Sequence, residues 1–129
     1  MTTSHLAAFG QAMARGDIET AFTHVSDRIA LYSPIFEEPF VGKAAVGRVM
    51  GAVKSVVTAS ERTGTAQGDD RIVQFSTVTI DGVTGNGVEL IQFDAEGLID
   101  RITIFWRPLR LGLAGHGRLA SLLGRDPIL

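Results

Sequence analysis

The sequence predicts an α+β domain in which helices come first and an antiparallel sheet follows. In the first part of the 129-residue chain, apolar residues recur at the three- and four-residue spacing of amphipathic helices. In the second part, runs rich in β-branched and aromatic residues are separated by turn signals, as in hairpins. Strands and helices do not alternate as in βαβ units, so a parallel α/β architecture is disfavoured.

Composition and charge narrow the class of protein. The length suits a single core, so we expect one domain over residues 1–129. A formal net charge of −2 provides no basic surface for nucleic acid. The chain has no cysteine, and its three histidines lack the paired spacing of a metal site, so we expect neither a metal nor a cofactor. No apolar run approaches the ~18 residues of a membrane span and no leader pattern is visible, so we expect no membrane partner and a cytoplasmic location.

Three helices are predicted in the first half of the chain. A stripe of apolar residues predicts the first helix over 3–15, and Gly16 supplies the flexible residue that ends it. Asp17 is a good N-cap for a second, short helix that ends near Ser26. Valine and methionine side chains at helical spacing make residues 44–59 the main amphipathic helix.

One strand and one loop are predicted between the second and third helices. Residues 28–33 are rich in apolar and aromatic side chains and precede Pro34, which lacks the N–H group that a central strand needs. Residues 34–42 contain two prolines, two adjacent acids and a glycine, so we expect a loop that wraps over the body of the domain.

The remaining strands are joined by tight turns. Weak alternation over 61–67 and a stronger β pattern over 72–80 predict two strands. Asp81-Gly82 predicts a hairpin, because both central residues of such a turn must tolerate positive φ. A second hairpin is predicted at 94–97, and the last strand follows over 98–107.

Glycines interrupt the predicted strand and helix patterns in two places. Gly85-Asn86-Gly87 lies inside the strand after the first hairpin and predicts a bulge or bend, which would let the sheet curl around a cavity. The regular strand then resumes at Val88. The tail over 112–124 is punctuated by glycines and predicts only a short helix.

Glu89 is a carboxylate inside an otherwise apolar strand. Isolating an ionised carboxylate from water is costly unless another group compensates the charge. If Glu89 faces the interior, it therefore either satisfies a buried hydrogen bond or lines a cavity. A cross-strand salt bridge is the remaining alternative.

The order of elements and several motifs resemble the nuclear-transport-factor-2-like superfamily, and most closely its bacterial SnoaL-like branch. The motifs are the Gly16-Asp17 turn, the loop ending in Phe40-x-Gly42, and the segment Gly-Val-Glu-Leu-Ile-Gln-Phe-Asp-Ala-Glu-Gly-Leu-Ile-Asp-Arg-Ile over 87–102. The resemblance implies a curved, mainly antiparallel sheet wrapped around the N-terminal helices to form a cone with a central pocket. It also implies a homodimer formed through the outer face of the sheet.

The resemblance extends in part to ketosteroid isomerases and polyketide cyclases. In ketosteroid isomerases, a protonated pocket acid donates a hydrogen bond to the substrate oxyanion, and that position falls on Glu89. Their catalytic aspartate directly precedes a proline, where this chain has Ser33, so the general base is missing. The His-Trp-Asp ending of many polyketide cyclases corresponds here to Phe105-Trp106-Arg107.

Six further residues are candidates for ligand binding. Adjacent loop acids are commonly only solvated, but Glu37 or Glu38 could replace the missing base. The aromatic side chains on strands could form pocket walls or belong to the core, and the serine could instead form a turn. The candidate ligand-binding residues are Tyr32, Ser33, Glu37, Glu38, Phe40 and Trp106.

Two functions remain open on the sequence. The first is binding of an apolar, oxygenated small molecule that is steroid-, terpene- or polyketide-like, with possible isomerase, cyclase or hydrolase chemistry that uses Glu89 as the acid. The second is a non-catalytic module whose pocket is filled by its own side chains and whose sheet serves to dimerise. A roomy cavity beside Glu89 would favour the first, and a packed interior would favour the second.

Overall fold

Six strands form one curved, open sheet in a computed structural model, which describes residues 4–129. In chain order, the elements are α1 (Ser4–Ala14), α2 (Ile18–Ala21), a 3-10 turn (Phe22–His24), β1 (Val25–Tyr32), β2 (Phe40–Val41), α3 (Lys43–Val56), β3 (Ala59–Gln67), β4 (Arg71–Ile80), β5 (Val83–Phe93), β6 (Ile99–Arg107) and α4 (Leu109–Leu123). The six strands form one sheet, and the helices α3 and α4 pack against it without βαβ alternation. The predicted α+β class is therefore confirmed.

The strand order is β2-β1-β6-β5-β4-β3. All neighbouring strands are antiparallel except β1 and β6, which run parallel. The first and last long strands of the chain therefore lie side by side, and the hairpins β3-β4 and β4-β5 extend the sheet to one edge. This arrangement is mixed but mainly antiparallel, as predicted.

Three irregularities in register help to bend the sheet. They occur in β1 between Val25 and Ala30, in β3 between Arg62 and Gly64, and in β6 between Ile99 and Arg101, opposite the Gln92/Phe93 step of β5. A bulge bends its strand and increases the local twist. The sheet consequently has a concave face, on which α3 packs against β1 and α4 packs against β4, β5 and β6.

The β-bulge offered as one possibility at Gly85-Asn86-Gly87 is absent. β5 is continuous from Val83 and keeps unbroken register with β4 as far as Gln92. An added Cβ at Gly85 would overlap the carbonyl oxygen of Arg107, where the end of β6 passes close to β5. Glycine is needed at this position for close approach of two backbones, which is the other common reason for a glycine within a strand.

Several predicted boundaries also differ from the structure. The second helix ends at Ala21 and not near Ser26, because Val25 is already paired with Ile99 in the parallel β1-β6 ladder. Pairing with a distant strand outweighs the local helical pattern here. The predicted loop over 34–42 contains the two-residue strand β2, which pairs with β1 and is too short to produce a sequence pattern.

The C-terminal helix is longer than predicted. α4 extends over fifteen residues despite its glycines. An added Cβ at Gly115 would lie 3.2 Å from Ile80 Cδ1 and 3.4 Å from Val56 Cγ1, so the small residue lets α4 approach β4 and α3 closely. Close packing thus offsets the low helix propensity of glycine.

The two predicted hairpin turns are present. Asp81 and Gly82 have φ angles of 48° and 78°, and Gly97 has a φ of 80°. These positive values explain the Asp-Gly and Glu-Gly sequences at the turns. Within residues 4–129, no helix is both long enough and apolar enough to cross a lipid bilayer.

Candidate ligand-binding site

Two adjoining hollows lie inside the fold, between the concave face of the sheet and the helices. The first, next to α3, has a volume of about 450 Å³, and the second, next to α1, has a volume of about 660 Å³. Both volumes fall in the range of roughly 300–1,000 Å³ that small-molecule pockets occupy. Met13, Met50 and Glu89 line both hollows. The interior is therefore not packed solid, and Glu89 lies where the two hollows meet.

Strand alternation places Glu89 on the concave face. On β5 it stands between Gly87 and Ile91, which are both buried. Across the sheet it is directly opposite Gln74 of β4 and Ile104 of β6. Because successive side chains of a strand point to opposite faces, these neighbours share its inward orientation.

The surroundings of Glu89 favour its protonated form. Its side chain forms no hydrogen bond or ion pair with any other residue in the described part of the chain, and burial raises the pKa of its carboxyl group. The positive charge of Arg62 opposes this shift, but it is the smaller effect. Glu89 therefore keeps its proton at pH values where an exposed glutamate is ionised.

Three polar side chains lie on neighbouring strands of the concave face, with Gln74 directly opposite Glu89 and Arg62 opposite Ser76, two residues further along β4. Arg62 on β3, Gln74 on β4 and Glu89 on β5 form this polar strip. The Nη2 atom of Arg62 donates a hydrogen bond to the Oε1 atom of Gln74, at a distance of 3.0 Å. Gln74 is buried, whereas Arg62 is exposed at the opening of the second hollow. The strip adds polar groups to walls that are otherwise mainly apolar.

Trp106 lines the first hollow, together with Glu89. It stands directly opposite Gly87 in the β5-β6 ladder. An added Cβ at Gly87 would lie 3.0 Å from Val78 Cγ2 and 3.5 Å from Trp106 Cδ1. The absence of a side chain at Gly87 therefore lets Val78 and Trp106 approach the backbone of β5 closely.

Tyr32 is not part of either hollow. It pairs in parallel register with Thr103, which alternates with the inward-facing Ile102 and Ile104 of β6. Tyr32 therefore lies on the outer face of the sheet, where the guanidinium of Arg101 stands 4.2 Å from the centre of its ring. This contact is a cation–π interaction on a surface away from Glu89.

The other four predicted residues lie in the 33–40 region, which also lines neither hollow. The Oγ atom of Ser33 accepts hydrogen bonds from the backbone N–H groups of Ile35 and Phe36, so this serine forms a turn. Glu37 and Glu38 are exposed. The structure does not bring either acid to Glu89, in contrast to the expectation that one of them could replace the missing base.

Phe40 belongs to the core and not to a pocket wall. It is buried, and the guanidinium of Arg125 lies 3.7 Å from the centre of its ring. Arg125 also donates hydrogen bonds to the backbone carbonyls of Glu38 and Pro39. Arg125, which follows α4, therefore holds the loop that contains Glu38 and Pro39 against the rest of the protein.

Among the lining residues that sequence reasoning missed are Met13, Met50, Arg62 and Gln74. Met13 and Met50 were assigned only to the apolar stripes of their helices. Arg62 was not singled out because it lies in a weakly alternating strand next to another charged residue, and the register shift after it hides which face it occupies. Gln74 was missed although its period-2 spacing from Ile72 and Ser76 indicates an inward position.

No protein-family model matches the sequence, and no curated protein matches it significantly. Solved structures match over most of the chain. A steroid delta-isomerase from Pseudomonas aeruginosa superposes with a TM-score of 0.86 at 20% identity, covering 95% of this chain and 90% of its own. A nuclear-transport-factor-2-like protein from Burkholderia xenovorans LB400 superposes with a TM-score of 0.70 at 18% identity, covering 88% and 94%. The chain has the nuclear-transport-factor-2-like fold.

This fold is shared with proteins of different kinds. An uncharacterised bacterial protein with a cystatin-like fold, from Silicibacter pomeroyi DSS-3, superposes with a TM-score of 0.82 at 18% identity, covering 91% of this chain and 83% of its own. At such identities, structural similarity establishes the fold alone. The resemblance to the superfamily that the sequence indicated is therefore confirmed as a fold, and the assignment to the SnoaL-like branch stays a prediction.

We predict that the stability of the protein falls with rising pH more steeply than that of the Glu89→Gln variant. Burial raises the folded-state pKa of Glu89 above its unfolded-state value, so between the two values the folded state binds more protons. The free energy of unfolding therefore decreases as the pH rises through that window. Urea unfolding at a series of pH values from about 4 to about 8 would measure the difference between the two proteins.

Glu61→Gln is the matched control, because Glu61 is exposed on β3. We expect this variant to follow the pH dependence of the wild-type protein. Identical pH dependence in the wild-type and Glu89→Gln proteins would show that the Glu89 carboxyl is not shielded from water.

Proposed function

We propose that the protein binds an apolar, oxygenated small molecule in the two hollows, and that the protonated Glu89 donates a hydrogen bond to an oxygen atom of the ligand. The observation that carries the proposal is a partly buried carboxyl group without a described protein partner, at the junction of two hollows of ligand size. Steroid-, terpene- and polyketide-like molecules have the required combination of a large apolar body and few oxygen atoms.

The walls of the hollows suit such a body. Ile104, Trp106 and Val78 surround the first hollow, and Ile72 and Ile91 are among those that surround the second. Burial of apolar ligand surface against these side chains supplies roughly 25 cal/mol per Å². A carbonyl or phenol oxygen of the ligand would satisfy Glu89, whose proton otherwise has no described protein acceptor. Apolar contacts with the walls thus supply the affinity, and the hydrogen bond from Glu89 sets the orientation of the ligand.

Proton-transfer catalysis is the second candidate, because a steroid delta-isomerase shares the fold. An isomerase needs a group that removes a proton from one atom and returns it to another. Among the described residues that line the hollows, Glu89 is the sole carboxylate, and Ser33 forms a turn outside them. Turnover would therefore have to use Glu89 itself as the proton carrier. Such turnover would be lost in Glu89→Gln, which keeps a hydrogen-bond donor but has no titratable proton.

The outer face of the sheet supports a homodimer. Phe75, Val88 and Phe105 are aligned across β4, β5 and β6 on this face. The two phenylalanines are 40% and 54% exposed, and Val73 and Leu90 lie in the adjacent row. A contiguous apolar surface of this kind on a sheet favours burial against another protein surface. We therefore propose that two copies of the chain associate through this face.

We predict that 2-naphthol binds to the wild-type protein more tightly than naphthalene, which has the same rings but no oxygen. Glu89→Leu should remove this preference, a loss of roughly five- to tenfold in affinity for 2-naphthol, while naphthalene binding stays unchanged. Glu89→Gln should keep most of the preference, because its amide still donates a hydrogen bond. Fluorescence titration of each probe would measure the dissociation constants.

Glu61→Leu makes the same substitution at an exposed position and should change neither affinity. The proposal fails if neither aromatic probe binds. It also fails if Glu89→Leu weakens the binding of naphthalene as much as that of 2-naphthol.

We predict that Phe105→Glu converts the dimer into a monomer, because each interface would then have to bury an unpaired carboxylate. Leu109→Glu is the control, since Leu109 is 78% exposed at the start of α4 and lies outside the sheet face. Sedimentation velocity would measure both molar masses. A wild-type protein that sediments as a monomer at high concentration would contradict the proposed interface.

A further inference from the structure

The ionisable side chains that line the hollows include more cations than carboxyl groups. Among the described lining residues, the ionisable side chains are Lys54, Arg62 and Glu89. Two are cations, and the third is a carboxyl group whose burial disfavours its ionised form. The hollows therefore carry positive charge inside a chain with a formal net charge of −2. This combination of apolar walls and positive charge fits an apolar molecule that carries an acidic group.

Arg62 is well placed to bind such a group. Within residues 4–129, Arg15, Lys43, Arg71 and Arg118 each lie within 4.0 Å of an aspartate, but no carboxylate lies that close to Arg62. The described hydrogen bond of its side chain is the one that it donates to Gln74. Most of the N–H donors of the guanidinium therefore remain available to a ligand.

Gln74 holds the guanidinium in position. Its side chain is buried, and its Oε1 atom accepts the hydrogen bond from Arg62 at the wall of the second hollow. A fixed guanidinium loses less conformational freedom when it binds a ligand. Its planar fork also matches a carboxylate, with which it can form two parallel hydrogen bonds.

Lys54 is less suited to the same task. Its Nζ atom donates a hydrogen bond to the backbone carbonyl of Met13 at 3.4 Å, which connects α3 to α1. An ammonium group also lacks the planar fork that recognises a carboxylate at two points. The lysine adds positive charge to the first hollow, whereas the arginine provides a directional site.

We propose that the ligand is an organic acid, and that Arg62 binds its carboxylate while its apolar body fills the second hollow and reaches Glu89. This inference rests on the proposed function and specifies its class of ligand. Two strand spacings separate β3 from β5, or about 10 Å. A rigid body of two or more rings therefore has the length needed to connect the two ends of the polar strip.

The test uses 2-naphthoate and 2-naphthamide, which share one ring system and differ in charge at neutral pH. We expect the wild-type protein to bind 2-naphthoate roughly tenfold more tightly, because a hydrogen bond to a charged group is stronger than one between neutral groups. Arg62→Gln should abolish this preference and leave the affinity for 2-naphthamide within about twofold of its wild-type value. Arg62→Lys, which keeps the charge without the fork, should retain part of the preference.

Arg110→Gln is the matched control, because it removes the same charge from an exposed position on α4. We expect it to retain the full preference for 2-naphthoate. Circular dichroism and thermal unfolding would establish that Arg62→Gln is folded, and Arg62→Lys provides a second variant if it is not.

The possible outcomes separate this inference from the function on which it rests. Equal binding of the two probes to the wild-type protein would overturn the assignment of an acidic ligand and leave small-molecule binding intact. An equal loss of the preference for 2-naphthoate in Arg62→Gln and Arg110→Gln would also overturn the assignment of an acidic ligand, since the effect would then come from the overall charge of the protein. If neither probe binds, both proposals fail.

Discussion

The central constraint in this structure is the partial burial of one carboxyl group, that of Glu89, without a described protein partner. A carboxyl group in such a position is tolerated when it keeps its proton and when the space beside it admits water or a ligand. At Glu89, burial raises the pKa of the carboxyl group, and the helices and the concave face of the sheet leave hollows on two sides of it. The proposed ligand and its orientation follow from this one position, whereas the proposed acidic group of the ligand follows from Arg62.

The hollows in turn depend on the curvature of the sheet and on small or flexible residues. Register shifts in three strands bend the sheet, and Gly87 lets the side chains of Val78 and Trp106 approach the backbone of β5 closely. Met13 and Met50 line both hollows at the junction. Methionine side chains are unbranched and adapt their shape readily, so they can adjust the boundary between the hollows to ligands of different shape.

Local sequence signals were sufficient for the fold class and for the choice of Glu89 as a candidate, but they left open whether this side chain faces the interior. The Asp81-Gly82 turn fixes the β4-β5 hairpin, and alternation along β5 then determines which face the acid occupies. Signals that depend on distant partners were not sufficient. The outward position of Tyr32 follows from the parallel pairing of β1 with β6, two strands from opposite ends of the chain. Arg62 was missed for a similar reason, since a bulge in β3 interrupts the alternation that would have identified it.

A site-resolved titration of the Glu89 carboxyl group tests the central claim most directly. Carbon-13 NMR of the side-chain carboxyl, assigned with the Glu89→Gln variant, would follow its ionisation from low to high pH. Our account predicts a midpoint clearly above the ordinary glutamate pKa of about 4.3, because burial outweighs the attraction of Arg62. A midpoint at or below that value would mean that the group is solvated or ion-paired, and the proposed hydrogen-bond donor would not exist.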